Sequence, residues 1–137
     1  MRILAVDPGE KRLGLAISDP SGTIANPLTV LKHTSRTVDA ATIAQIAEKN
    51  QVGVIVVGQA LDTEGNPSPQ GRSAARLANA IGEQTAIPVV LWDESESTLA
   101  ARQARIAMGV SRRKRRGHLD DLAATYILQT YLDANIR

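Results

Sequence analysis

At 137 residues the chain has the commonest size of one folded domain, and a core at that length buries roughly two-thirds of the surface an unfolded chain exposes. Cys is absent, which excludes disulfides, thiolate nucleophiles and zinc–thiolate sites, and Phe is absent too, so the core must be aliphatic. The net charge of +2 is small, the opening MRILAVDPGE is too short an apolar run for a signal peptide, and no stretch approaches the roughly 20 apolar residues of a membrane span. These features predict a single domain over residues 1–137 in a cytoplasmic protein with no membrane partner.

In chain order, residues 2–7 and 13–18 are β-branched apolar runs around Pro8, Gly9, Glu10 and Lys11, the pattern of a hairpin. Residues 23–31 supply a third strand, and Pro27 assigns it to a sheet edge, because proline lacks the N–H that an inner strand donates. Val38, Ala41, Ile43, Ile46 and Ala47 recur at helical spacing over residues 37–50, with Thr37 as candidate N-cap. Residues 52–57 are almost wholly apolar, as in a strand covered on both faces. Gly65, Asn66, Pro67 and Pro69 make residues 61–70 a loop, and an amphipathic helix follows over 72–84. A short buried strand over 88–92 leads into the acidic and hydroxylated stretch 93–98. A helix over 98–108, a basic loop and a last helix over 119–132 complete the order β-β-β-α-β-α-β-α-α. Three antiparallel strands followed by alternating helices and strands predict an α/β fold with a mixed five-stranded sheet flanked by helices.

Three acidic positions carry the chemistry. Asp7 ends the first strand, Asp93 and Glu94 follow the strand over 88–92, and Asp120 and Asp121 open the last helix. Each has a plain structural reading, as a turn residue or as an acid at a helix start. Two of the three sites, however, lie at the C-terminal ends of strands, the edge of an open α/β sheet where ligands bind. Carboxylates gathered there repel one another unless a cation neutralises them. Oxygen ligands without Cys, and with only two His in the chain, point to Mg²⁺ or Mn²⁺. Carboxylate-held metals about 3.5–4 Å apart are a standard arrangement for phosphodiester cleavage. Arg112, Arg113, Lys114, Arg115 and Arg116 form an unbroken basic run just before Asp120, and Lys11 and Arg12 follow Asp7. Both sets suit the phosphate backbone, a contact that binds without reading sequence. His118 and Trp92 read more simply as a surface histidine and a packing residue. The scarcity of aromatics argues against single-strand binding through stacking.

At the level of motifs, Asp7-Pro8-Gly9-Glu10-Lys11-Arg12-Leu13-Gly14-Leu15-Ala16 resembles the D-x-G-x-K-R-[IL]-G-x-A signature of the YqgF/RuvX family. Val56-Val57-Gly58, then Leu61-Asp62 and Gly65, is similar to its V-G-L-P-L…G segment, and Asp93-Glu94-Ser95-Glu96-Ser97-Thr98 to its D-E-R-x-[ST]-T motif. The basic-D-x-x-A-A-x-x-I-L pattern falls on Lys114, Arg115, Arg116, Asp120, Ala123, Ala124, Ile127 and Leu128. The resemblance implies a ribonuclease H-like fold, kinship with Holliday-junction resolvases and a nuclease that processes pre-16S ribosomal RNA, with structured RNA or branched DNA as partner. It assigns the metal-binding carboxylates to Asp7, Glu94 and Asp120, with Asp93 or Asp121 as alternates. Asp7 would bridge two metals, one activating water and the other stabilising the leaving 3′-oxygen, so no histidine base is needed.

Two positions depart from the pattern. The family's Arg after Asp-Glu is Ser95, which removes a planar bidentate phosphate donor, and its Leu-Pro after Val-Gly is Gln59-Ala60. Arg72 and Arg102 are the candidates to replace the lost Arg. Ala123 stands where resolvases carry a fourth carboxylate. These departures keep a rival open, a non-catalytic RNA-binding or transcription-associated factor on the same fold. A phosphate-gripping relative of actin and the sugar kinases needs a second domain that 137 residues do not supply. Monomer and homodimer both remain compatible with the sequence.

Overall fold

The computed structural model describes residues 1–93 and 112–135, with residues 112–121 described by their backbone alone. Strands β1 (Arg2–Pro8), β2 (Arg12–Ser18) and β3 (Ala25–Lys32) form an antiparallel meander. Strands β4 (Val52–Gln59) and β5 (Val89–Asp93) then add to the other side of β1, both parallel to their neighbours. The order across the sheet is β3-β2-β1-β4-β5. Pro27 therefore does lie on an edge strand, and it pairs with Ala16 where the β2–β3 register shifts, a place that tolerates the missing N–H.

Helix α1 (Arg36–Lys49) is capped by Ser35, whose hydroxyl accepts from the Val38 N–H at 3.1 Å. Thr37, the cap expected from sequence, lies inside the first turn. Helix α2 (Pro69–Gln84) starts earlier than residue 72. Ser68 caps it by accepting from the Gly71 N–H at 3.0 Å, and Pro69 occupies the first position, where no intrahelical N–H is called for. The loop before it turns on Asp62, whose Oδ1 accepts from the N–H groups of Glu64 and Asn66, with Gly65 at φ 83°.

The last helix, α3 (Arg112–Asn135), corrects the basic loop expected before residue 119. Arg112, Arg113, Lys114, Arg115 and Arg116 belong to its first turns. Arg and Lys are good helix formers, so an all-basic segment joins a helix without showing any apolar periodicity. The helix expected over 98–108 lies outside the described residues.

Strand alternation divides the core into two layers. Leu4, Val6, Leu13, Leu15, Ile17, Ile55 and Val57 pack with Ile43, Leu77 and Ile81 of α1 and α2. Ile3, Ala5, Ala16 and Val56 pack on the other side with Ala124, Ile127, Leu128 and Leu132 of α3. The second layer mixes Ala5, Ala16 and Ala124 with larger aliphatic side chains.

Candidate active site

Asp7 continues the Ile3–Ala5 alternation, so it stands on the α3 side of the sheet, at the C-terminal edge of β1. Its cross-strand partner is Gly14 on β2, which in turn pairs with Val30 on β3. On the other side, Val6 pairs with Val57, so Gly58 of β4 lies beside Asp7, and Gly58 pairs with Trp92 of β5. The row on this face thus reads Val30, Gly14, Asp7, Gly58, Trp92. Both glycines are buried and Asp7 is half-buried. The two residues that flank the carboxylate across the sheet therefore bring no side chain beside it. Sequence reasoning quoted both glycines as motif positions and gave them no role.

Trp92 closes one end of the row. Its Nε1–H donates to Thr130 Oγ1 at 3.0 Å, and its ring meets Tyr131 edge to face at 5.3 Å. It fastens β5 to α3, in keeping with the packing role read from sequence. Asp93 is exposed and one residue further, on the α2 side with Leu91, which lines a surface groove with Ala78 and Gly82. Asp7 and Asp93 therefore belong to opposite faces.

Helix α3 is anchored at its far end. The Gln129 side chain accepts from the Ala25 N–H at 3.1 Å and donates to the Thr23 carbonyl at 3.2 Å, at the start of β3. That end of the sheet also holds the start of β1, where the Ile3 N–H donates to Ser18 Oγ. The C-terminal half of α3 is thus fastened to the sheet, and its N-terminal half holds the proposed carboxylates. Asp120 lies in that half, one helical turn before the buried Ala124, with Asp121 next to it. The side chains of Asp120 and Asp121, and Glu94 altogether, lie outside the described residues. Among the described residues no three His, Asp or Glu side chains cluster as a metal site.

Lys11 and Arg12 are exposed at the hairpin tip, two steps beyond Asp7. Gly9 fits there because a Cβ would meet the Arg12 carbonyl oxygen at 2.4 Å, and its N–H donates to that same oxygen. Arg72 donates to the Pro67 carbonyl at 3.2 Å from an exposed position on α2. Arg102, Ser95 and the side chains of Arg112, Arg113, Lys114, Arg115, Arg116 and His118 lie outside the described residues. Among the described residues no helix is long and apolar enough to cross a membrane.

Comparison with known proteins settles the kinship. The family model RuvX, described as Holliday junction resolvase, matches residues 1–134. The chain belongs to the RuvX family. A RuvX-family relative from Thermoanaerobacter pseudethanolicus, described as a candidate pre-16S rRNA nuclease, is 43% identical over 98% of this chain and 97% of its own. A Bartonella quintana relative with the same description is 40% identical over 96% of this chain and 82% of its own. Among solved structures, Thermus thermophilus RuvC in complex with a Holliday junction substrate superposes with a TM-score of 0.61 at 16% identity, covering 99% of this chain and 96% of RuvC. The Fowlpox virus resolvase bound to Holliday junction DNA gives 0.58 at 14% identity over the whole of both chains. These likenesses establish the ribonuclease H-like fold of the resolvases, as the motifs imply.

Proposed function

We propose that this chain is a metal-dependent nuclease that hydrolyses phosphodiester bonds in structured nucleic acid, and that its cellular task is trimming the 5′ end of pre-16S ribosomal RNA in the cytoplasm. What supports the reading is the glycine-flanked Asp7 at the C-terminal edge of β1, on the sheet face covered by α3, the helix that contains Asp120. Family membership and the candidate rRNA-nuclease relatives support the reaction class and the substrate.

Asp7, Glu94 and Asp120 are the residues that would hold Mg²⁺ or Mn²⁺. Glu94 is preferred to Asp93 because Asp93 faces away from Asp7. Asp121 is the alternate on α3. The bound cations supply Lewis acidity and a water acidic enough to ionise near neutral pH. The chain's own residues orient and grip. Asp7 is fixed by its ladder position on an inner strand, and Trp92 ties β5 to α3, so the ligand-bearing elements form one rigid frame. Lys11, Arg12 and the Arg112, Arg113, Lys114, Arg115, Arg116 run offer charge to the phosphate backbone on either side of the cleaved bond.

The test is incubation of purified protein with pre-16S rRNA and with branched DNA, in Mn²⁺ or in EDTA. The nuclease reading predicts cleavage of the RNA that EDTA stops and that Asp7→Asn abolishes. The rival reading, a binding factor that Ser95 and Ala123 keep in view, predicts RNA bound and left intact under both conditions.

A further inference from the structure

Beside the hairpin cations Lys11 and Arg12, the β2–β3 side of the molecule carries a further cation, Lys32, that the nuclease reading does not use. Arg12 and Lys32 are direct cross-strand partners, so both side chains rise on the same face as Asp7. Like charges opposite each other destabilise an antiparallel pair. Neither residue makes an ion pair among the described residues. With Glu10, Lys11, Val30 and His33 they line a surface groove of about 610 Å³. The His33 N–H donates to the Lys11 carbonyl at 2.9 Å, which ties the end of β3 to the hairpin tip and sets the cations side by side.

His33 is more firmly held than a surface histidine requires. Its Nδ1 donates to the buried Asp39 carboxylate, whose other oxygen accepts from the Thr34 N–H at 3.1 Å. The ring is 43% exposed and is part of the groove lining. We propose that Arg12 and Lys32, steadied by the His33 anchor to the hairpin tip and α1, form a phosphodiester-backbone clamp on the edge strand β3, which holds the nucleic-acid segment leading away from the bond cut at Asp7. The proposal rests on the nuclease reading for what is cut, but the clamp itself needs no metal.

The test measures binding of a duplex RNA, and of a duplex DNA of the same sequence, in EDTA as a function of salt. Each phosphate contact contributes about 0.9 to the slope of log K against log salt for duplex DNA. Lys32→Gln lowers that slope by about one contact, and Lys32→Arg restores it. A slope lost with only one of the two duplexes assigns the clamp to that acid. Unchanged slope in Lys32→Gln overturns the clamp. Absence of Mn²⁺-dependent cleavage would sink the nuclease reading and leave these binding results standing.

Discussion

The two faces of one sheet are built to different specifications. Toward α1 and α2 the strands present Leu4, Val6, Leu13, Leu15, Ile17, Ile55 and Val57, large aliphatic side chains that fill space. Toward α3 the same strands present Ile3 and Val56 but also Ala5, Ala16, Gly14 and Gly58, and among them a carboxylate, Asp7. Because side chains alternate along each strand, one stretch of backbone serves both purposes. Both layers bury aliphatic side chains, but the second also sets glycines on either side of Asp7, the residue proposed to hold a metal ion.

Substitutions on each face should separate stability from activity. The largest stability effect is expected on the filled face. Leu15→Ala, at a fully buried position, should cost about 2–5 kcal/mol by urea unfolding, and any surviving folded protein should cleave normally. On the open face, Gly58→Val should cost about 1–3 kcal/mol through overpacking and should also remove cleavage at concentrations where the protein is folded. Full activity in a folded Gly58→Val protein would break the comparison.

A smaller effect is expected at the caps that seat the helices of the filled face. Ser35→Ala and Ser68→Ala should each lower stability by about 1 kcal/mol without changing the metal dependence of cleavage.

The smallest lies far from the site. Hydrogen bonds from the Ile24 N–H, the Ser21 hydroxyl and the Thr23 N–H lower the Asp19 pKa to about 2 from 3.8. A carboxylate so lowered stabilises the fold above its unfolded value, and that contribution fades as pH falls from about 4 to about 2. Asp19→Ala should therefore lose less stability than the parent over this interval, measured by thermal unfolding at stepped pH. Equal losses would show that the turn contributes nothing through this group.

Much of this arrangement was legible in the sequence, and the failures have physical causes. The hairpin, the doubly covered β4 and the edge position of β3 follow from period-two patterning, an apolar run and Pro27. The early start of α2 was hidden because Pro69 looks like a breaker, whereas at a first helical position, behind a Ser cap, proline begins a helix. The early start of α3 was hidden because five consecutive cations show no apolar face. Asp7 stood out by its place at a strand end. Its glycine neighbours did not, since a cross-strand pairing such as Asp7 with Gly14 depends on register, and Gly58 lies 51 residues away in the chain with nothing local to link the two. His33 was passed over for the same reason. Its partner Asp39 reads in sequence as an ordinary acid in the first turn of α1.

The central claim is that Asp7, flanked by its two glycine neighbours, holds a divalent cation. Calorimetric titration of Mn²⁺ into the parent protein and into Asp7→Asn tests it without reference to any substrate. The account predicts measurable Mn²⁺ binding to the parent, with a rise in Tm on saturation, and neither in the variant. Equal Mn²⁺ affinity in the two proteins would contradict it.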